Sequence, residues 1–155
     1  MTANLWGWIF LHGVGELTDI EGRLNAEKYI EILEVMLPSV WAYALPFPER
    51  FIFMQDNSPI HTARIVQRWF QEQQHVELLD WPSKACDLNP IENIWANIVN
   101  VWEPAQERTS RELVQHANRE WETMRRKPEL VFRHVASVPE RLRDMIEKGG
   151  GWTGH

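Results

Sequence analysis

The chain has 155 residues, 44% apolar and 25% charged, which is enough to bury the core of one domain and excludes a long disordered chain. Its 22 acidic residues against 16 Lys and Arg leave a net charge of −6, which excludes histone-like binding and confines any DNA contact to local patches. Cys86, the one cysteine, has no second thiol to pair with inside the chain, as in a reducing compartment. No window approaches the roughly 18 consecutive apolar residues of a spanning helix. Met1 is not followed by the basic-then-apolar pattern of a signal peptide, so the expectation is a soluble, intracellular protein. Nine Trp point to a core built on large flat side chains, or to aromatics that a partner covers.

In chain order, the apolar and aromatic run from Asn4 to Leu11, then Gly13 and Gly15, then Glu16 to Ile20, predicts two strands in a hairpin. Asn25 is placed to cap a helix whose Tyr29, Ile30, Leu33, Met36 and Leu37 share one face, with Pro38 ending it. After a loop broken by Pro46 and Pro48, Phe51 to Met54 reads as a strand buried on both faces. A helix starting near Pro59 to Thr62 and carrying Ala63, Val66 and Phe70 leads to a second buried strand, Val76 to Leu79. Strand, helix, strand at this spacing predicts a parallel pair, so the sheet is expected to be mixed. Asn89 and Pro90 have the types of an N-cap and first helical residue, opening a helix lined by Ile91, Ile94, Trp95, Ile98 and Trp102. Thr109 and Glu112 fit a capping box before a further helix, and helical material from Pro128 to Lys148 is interrupted near Pro139. One domain over residues 1–148 is expected, with a flexible tail over 149–155.

Two acids stand out by position. Asp56 lies at the carboxyl end of a buried strand, and Glu92 lies in the first turn of the helix opened by Asn89 and Pro90. Ligand sites of open α/β sheets form beyond the carboxyl ends of strands, so these carboxylates are able to converge there. Converging carboxylates need a cation between them, and Mg²⁺ with its oxygen shell suits phosphodiester chemistry. The plainer alternative is that Asp56 to Pro59 is a helix-start turn and that Glu92 simply favours the positive end of a helix.

The stretches QDNSPIHTARIVQRWF (Gln55 to Phe70) and VELLDWPSKACDLNPIENIW (Val76 to Trp95) resemble the catalytic core of mariner-superfamily DDE transposases. The segment from LWGWIF to IEGRLNAEKYIEIL resembles the family's second and third strands and first helix, so the likeness runs from about Leu5 to Glu147. The resemblance implies an RNase H-like α/β fold, a mixed sheet with helices on both faces. It also implies Mg²⁺- or Mn²⁺-dependent DNA cleavage and strand transfer, and nuclear localisation. By that likeness Asp56 is the second catalytic Asp and Glu92 the third acid, both metal ligands. Asn57 and His61 match motif residues that position the site or contact DNA, and His61 fits a structural histidine equally well. Arg125, Arg126 and Lys127 form the densest basic spot, a candidate DNA contact or equally a solvated helix end.

Three departures from the family pattern bear on function. No residue matches the first catalytic Asp, which sits on the family's central first strand. Asp19 and Glu21, the nearest upstream acids, fall at non-catalytic places. The metal site is therefore one ligand short, and catalysis and metal binding are expected to be weakened. Second, 35 residues separate Asp56 from Glu92, one more than the commonest spacing, with the extra residue in the tolerant loop Gln71 to His75. Third, Asn97, Asn100 and Glu103 replace the usual basic residues of the helix after the acid. Residues 1–103 carry 6 basic and 14 acidic residues, a net of −8, whereas residues 104–148 carry 10 and 8, a net of +2. Weak DNA binding by this part alone follows. Without the central strand, two inner sheet edges stand open. The expectation is direct closure of the two halves, pairing with a second copy, or insertion of a partner's strand, with closure or a dimer favoured over a gapped monomer. The functional alternatives are a catalytically impaired transposase core, a non-catalytic domesticated interaction module, or part of a longer enzyme with a DNA-binding region.

Overall fold

A computed structural model describes residues 2–43, 50–80, 88–103 and 109–148. The Pro46 and Pro48 loop, the Trp81-Pro82-Ser83 step, Cys86 and the tail over 149–155 lie outside the described residues.

β1 (Leu5–Phe10) and β2 (Gly13–Asp19) form the expected antiparallel hairpin, running from Leu5 opposite Asp19 to Phe10 opposite Gly13, with an irregularity between Gly7 and Ile9. Gly13 turns the chain at φ +144°, a conformation that a Cβ disfavours. A Cβ on Gly15 would lie 2.0 Å from the Trp8 ring, so glycine is what lets that indole lie flat across the hairpin.

α1 (Ala26–Tyr43) begins at Asn25, whose Oδ1 accepts from the Lys28 amide at 2.8 Å. The expectation that Pro38 stops this helix is overturned, because α1 continues for five more residues. Beyond the proline, Tyr43 donates to Glu16 Oε1 at 2.8 Å and Trp41 meets Phe51 edge to face. These contacts hold the last turn in place and outweigh the one missing helical hydrogen bond.

β3 (Phe51–Phe53), α2 (Arg64–Glu72) and β4 (Val76–Leu78) form the predicted parallel unit, with Phe51 opposite Val76 and Phe53 opposite Leu78. α2 starts later than expected, because Pro59 to Thr62 form turns instead. Burial of both strand faces is also corrected. Phe51, Phe53, Val76 and Leu78 pack with α1 and α2, whereas Ile52 is 66% exposed on the opposite face.

α3 (Pro90–Asn100) opens as read, with Ile91 N donating to Asn89 Oδ1. α4 (Ser110–Arg126) carries the full Thr109–Glu112 capping box. α5 (Glu129–Ala136) and α6 (Val138–Glu147) are separated at Ser137, with Pro139 in the first turn of α6. Among the described residues no helix is long and apolar enough to cross a membrane.

The four strands make two separate two-stranded sheets, β1–β2 and β3–β4. Direct closure of β1 onto β3 does not occur. Helices rather than a shared ladder join the halves. Val14, Ile94, Ile98, Ala117, Trp121, Met124 and Val131 form one core between the hairpin and α3 to α5. Tyr29, Leu33, Leu37, Val66 and Phe70 form a second under β3 and β4, and Trp6 of β1 packs against it.

Candidate metal centre

Asp56 follows β3 at the end where the parallel strands point, and its Oδ1 atom is already engaged. It accepts from Ser58 N at 3.0 Å and lies 2.7 Å from His61 Nδ1. This short Asx turn fixes the carboxylate and leaves Oδ2 as the oxygen free of those two contacts. The His61 ring lies against Tyr29, tilted by 34° at a centroid separation of 4.5 Å. Tyr29 in turn donates to Gln55 Oε1, and Gln55 Nε2 donates to the His61 carbonyl at 3.4 Å. Burial pushes the Tyr29 hydroxyl pKa up, and the Asp56 charge adds to it.

Glu92 approaches from α3. Its pKa is raised above the ordinary carboxylate value, first by burial and then by the charge of Asp56. The charge of Asp56 at the end of β3 thus reaches Glu92 in the first turn of α3. Leu88, fully buried one residue before the α3 cap, packs in one cluster with Met54 and Leu79 at the ends of the parallel strands. That packing draws the two acid-bearing segments together.

Two carboxylates with repulsion between them fit one Mg²⁺ or Mn²⁺, since such ions are commonly held by one or two carboxylates plus water and substrate phosphate. Among the described residues no three His, Cys, Asp or Glu side chains gather into a metal-sized group. Asp19 lies instead in a surface cleft with Arg23 and Arg111, and the Glu21 carbonyl accepts from Lys28 Nζ.

Asn57 is exposed beside Asp56, while His61 turns its ring nitrogen to the carboxylate. Of the basic spot, only Arg126 and Lys127 are exposed. Arg125 reaches inward, where Nη2 donates to Gly15 O and Nη1 to Tyr43 Oη, each at 2.8 Å, and Nε pairs with Glu122 at 3.1 Å. Tyr29 and Gln55 escape a sequence reading, the first because it sits at a core position of α1. The second lies next to Asp56, and that adjacency was the available signal.

Residues 2–114 match a family model described as DDE superfamily endonuclease. The Tc1 transposase of Caenorhabditis elegans is 38% identical over 97 residues, covering 63% of this chain and 34% of the relative. The Tc3 transposase of the same organism is 32% identical over 101 residues, covering 64% and 30%. The chain therefore spans about a third of the length of these relatives. Among solved structures, the catalytic domain of Mos1 mariner transposase superposes with a TM-score of 0.78 at 20% identity, covering 96% of this chain and 74% of that one. The Mos1 paired end complex with Mn gives 0.81 at 20% identity, covering 96% and 44%. At such identity these likenesses speak to fold, and they bear out the mixed α/β, RNase H-like architecture. With more than half of its residues inside the family model, the chain belongs to the DDE superfamily of endonucleases, alongside transposases of the Tc1 and mariner type.

Proposed function

We propose that the chain is a transposase-derived DDE domain whose Asp56 and Glu92 form two thirds of a Mg²⁺ site for DNA cleavage and strand transfer, impaired when these 155 residues stand alone. The placement of the two acids carries this reading: Asp56 follows β3 and Glu92 opens α3, segments that meet in the cluster of Met54, Leu79 and Leu88, and the Asp56 charge adds to the raised pKa of Glu92, an arrangement that a divalent cation stabilises. Bound there, the cation would lower the pKa of a water or 3′-hydroxyl and neutralise charge developing on the phosphate. Asp56 presents Oδ2 while His61 and the Ser58 amide hold Oδ1. Glu92 supplies the second carboxylate from the positive end of α3. A third acid has to come from outside the described residues. Among the described residues β1 pairs only with β2 and β3 only with β4, which suits a strand that would bring it. Asn57, Arg126 and Lys127 are proposed DNA contacts, and the nucleus is the proposed location.

A plasmid-nicking assay in Mg²⁺ or Mn²⁺ compares this chain with Asp56→Ala. Absent or trace nicking is expected. Robust nicking abolished by the substitution would overturn the impairment. The open edges favour a second reading, a non-catalytic domesticated module that pairs with a second copy or accepts a partner's strand. Size-exclusion chromatography with light scattering distinguishes it, since a dimer supports strand pairing and a monomer opposes it.

A further inference from the structure

α6 lies beyond residues 2–114 of the family match, yet it touches both segments that carry the acids. Met145 is buried in one cluster with Leu88, four residues before Glu92, and Leu142 and Met54, two residues before Asp56, pack against that cluster. Arg141, only 4% exposed, donates from Nη1 to Asn93 Oδ1 at 3.0 Å. Asn93 neighbours Glu92, and consecutive residues of a helix point about 100° apart. Holding Asn93 therefore fixes the direction in which Glu92 leaves α3. A buried guanidinium is a costly way to make a packing contact, which an apolar side chain provides at least as well. Its directional hydrogen bonding is what an apolar residue cannot supply.

We propose that α6 is a brace that sets the separation and orientation of Asp56 and Glu92, with Arg141 as its positioning residue. The proposal rests on the metal-site reading above. A structural readout without metal separates the fates of the two.

The test uses the full chain with Arg141→Met and Asn93→Ala, and Val66→Ala as a packing control, since Val66 is fully buried in the second core, which holds no residue of α3 or α6. Residual dipolar couplings report the tilt of α3 against β3, and Mn²⁺ titration followed by amide line broadening reports the site. Arg141→Met and Asn93→Ala are expected to change the tilt and to raise the Mn²⁺ Kd about tenfold, the scale of outer-shell support. Val66→Ala is expected to lower Tm and leave both readouts unchanged. Unchanged tilt in both folded brace variants, or an equal change in the Val66→Ala control, overturns the brace. If Arg141→Met does not fold, Asn93→Ala decides, because it removes the half-buried acceptor on α3 and leaves Arg141 in place. Failure of Mn²⁺ to broaden the Asp56 and Glu92 neighbourhoods in the unaltered chain would defeat the metal-site reading, while the couplings would still decide the brace.

Discussion

Replacing Arg125 by Met separates an internal strut from a DNA contact. The guanidinium donates to Gly15 O and Tyr43 Oη at 2.8 Å each and pairs with Glu122 at 3.1 Å, while its side chain is 30% exposed. Gly15 O keeps the Trp121 indole as donor, and Tyr43 keeps Glu16 as acceptor, so neither of those groups is orphaned, and the contact given up at Val14 O is a long one at 3.5 Å. The loss is then the net value of two charge-assisted hydrogen bonds, discounted for exposure to about 1 kcal/mol each. The Glu122 pair adds little at the surface. A total near 2 kcal/mol corresponds to a fall in Tm of about 4–8 °C for a domain of this size. Differential scanning calorimetry measures it, alongside fluorescence anisotropy with a labelled duplex at low salt. The Arg126→Ala, Lys127→Ala double variant is expected to keep its Tm and lose DNA affinity. An Arg125→Met chain with unchanged Tm and sharply weakened DNA binding would refute the strut.

Gly15→Ala places a methyl carbon 2.0 Å from the Trp8 ring. It should cost about 1–3 kcal/mol, read by urea unfolding, and an unchanged midpoint would show that the indole yields freely. Because the folded pKa of Glu92 is raised above the ordinary carboxylate value of 4.5, its contribution is fully present below that value and is lost as pH rises through the folded pKa. Asp56→Asn removes the second cause of that shift. The variant should therefore equal or exceed the unaltered chain in urea midpoint at pH 7, with the gap closing on acidification, and a gap that widens in acid would contradict the coupling. His61→Ala leaves Asp56 with the Ser58 amide alone on Oδ1. It should weaken Mn²⁺ binding about tenfold or more with the fold intact by circular dichroism, and unchanged affinity would remove His61 from the site.

What the sequence makes legible here is local. Asn25, the Asn89–Pro90 pair and the Thr109–Glu112 box act within a turn of where they stand, and each caps its helix as read. The hairpin and the parallel unit follow from short apolar runs and the glycines between them. Contacts across the chain are another matter. Pro38 looks like a stop because the partners of Trp41 and Tyr43 lie on β3 and β2, and Arg125 looks solvated because Gly15 is 110 residues away. Ile52 reads as buried from the run around it, yet among the described residues no element covers its outer face. Position along the chain singles out Asp56 and Glu92, and the family likeness gives them their roles. The effect of Asp56 on Glu92, the grip of His61 on Asp56, and the reach of Arg141 from α6 to Asn93 emerge only when separate segments are packed together.

The most direct measurement is carbon-13 NMR of the side-chain carboxyls during Mg²⁺ addition to the full chain. One shared site predicts that the Asp56 and Glu92 signals move together with a single midpoint, and that Asp56→Asn abolishes the Glu92 response. Independent midpoints, or a Glu92 response that survives Asp56→Asn, would contradict it.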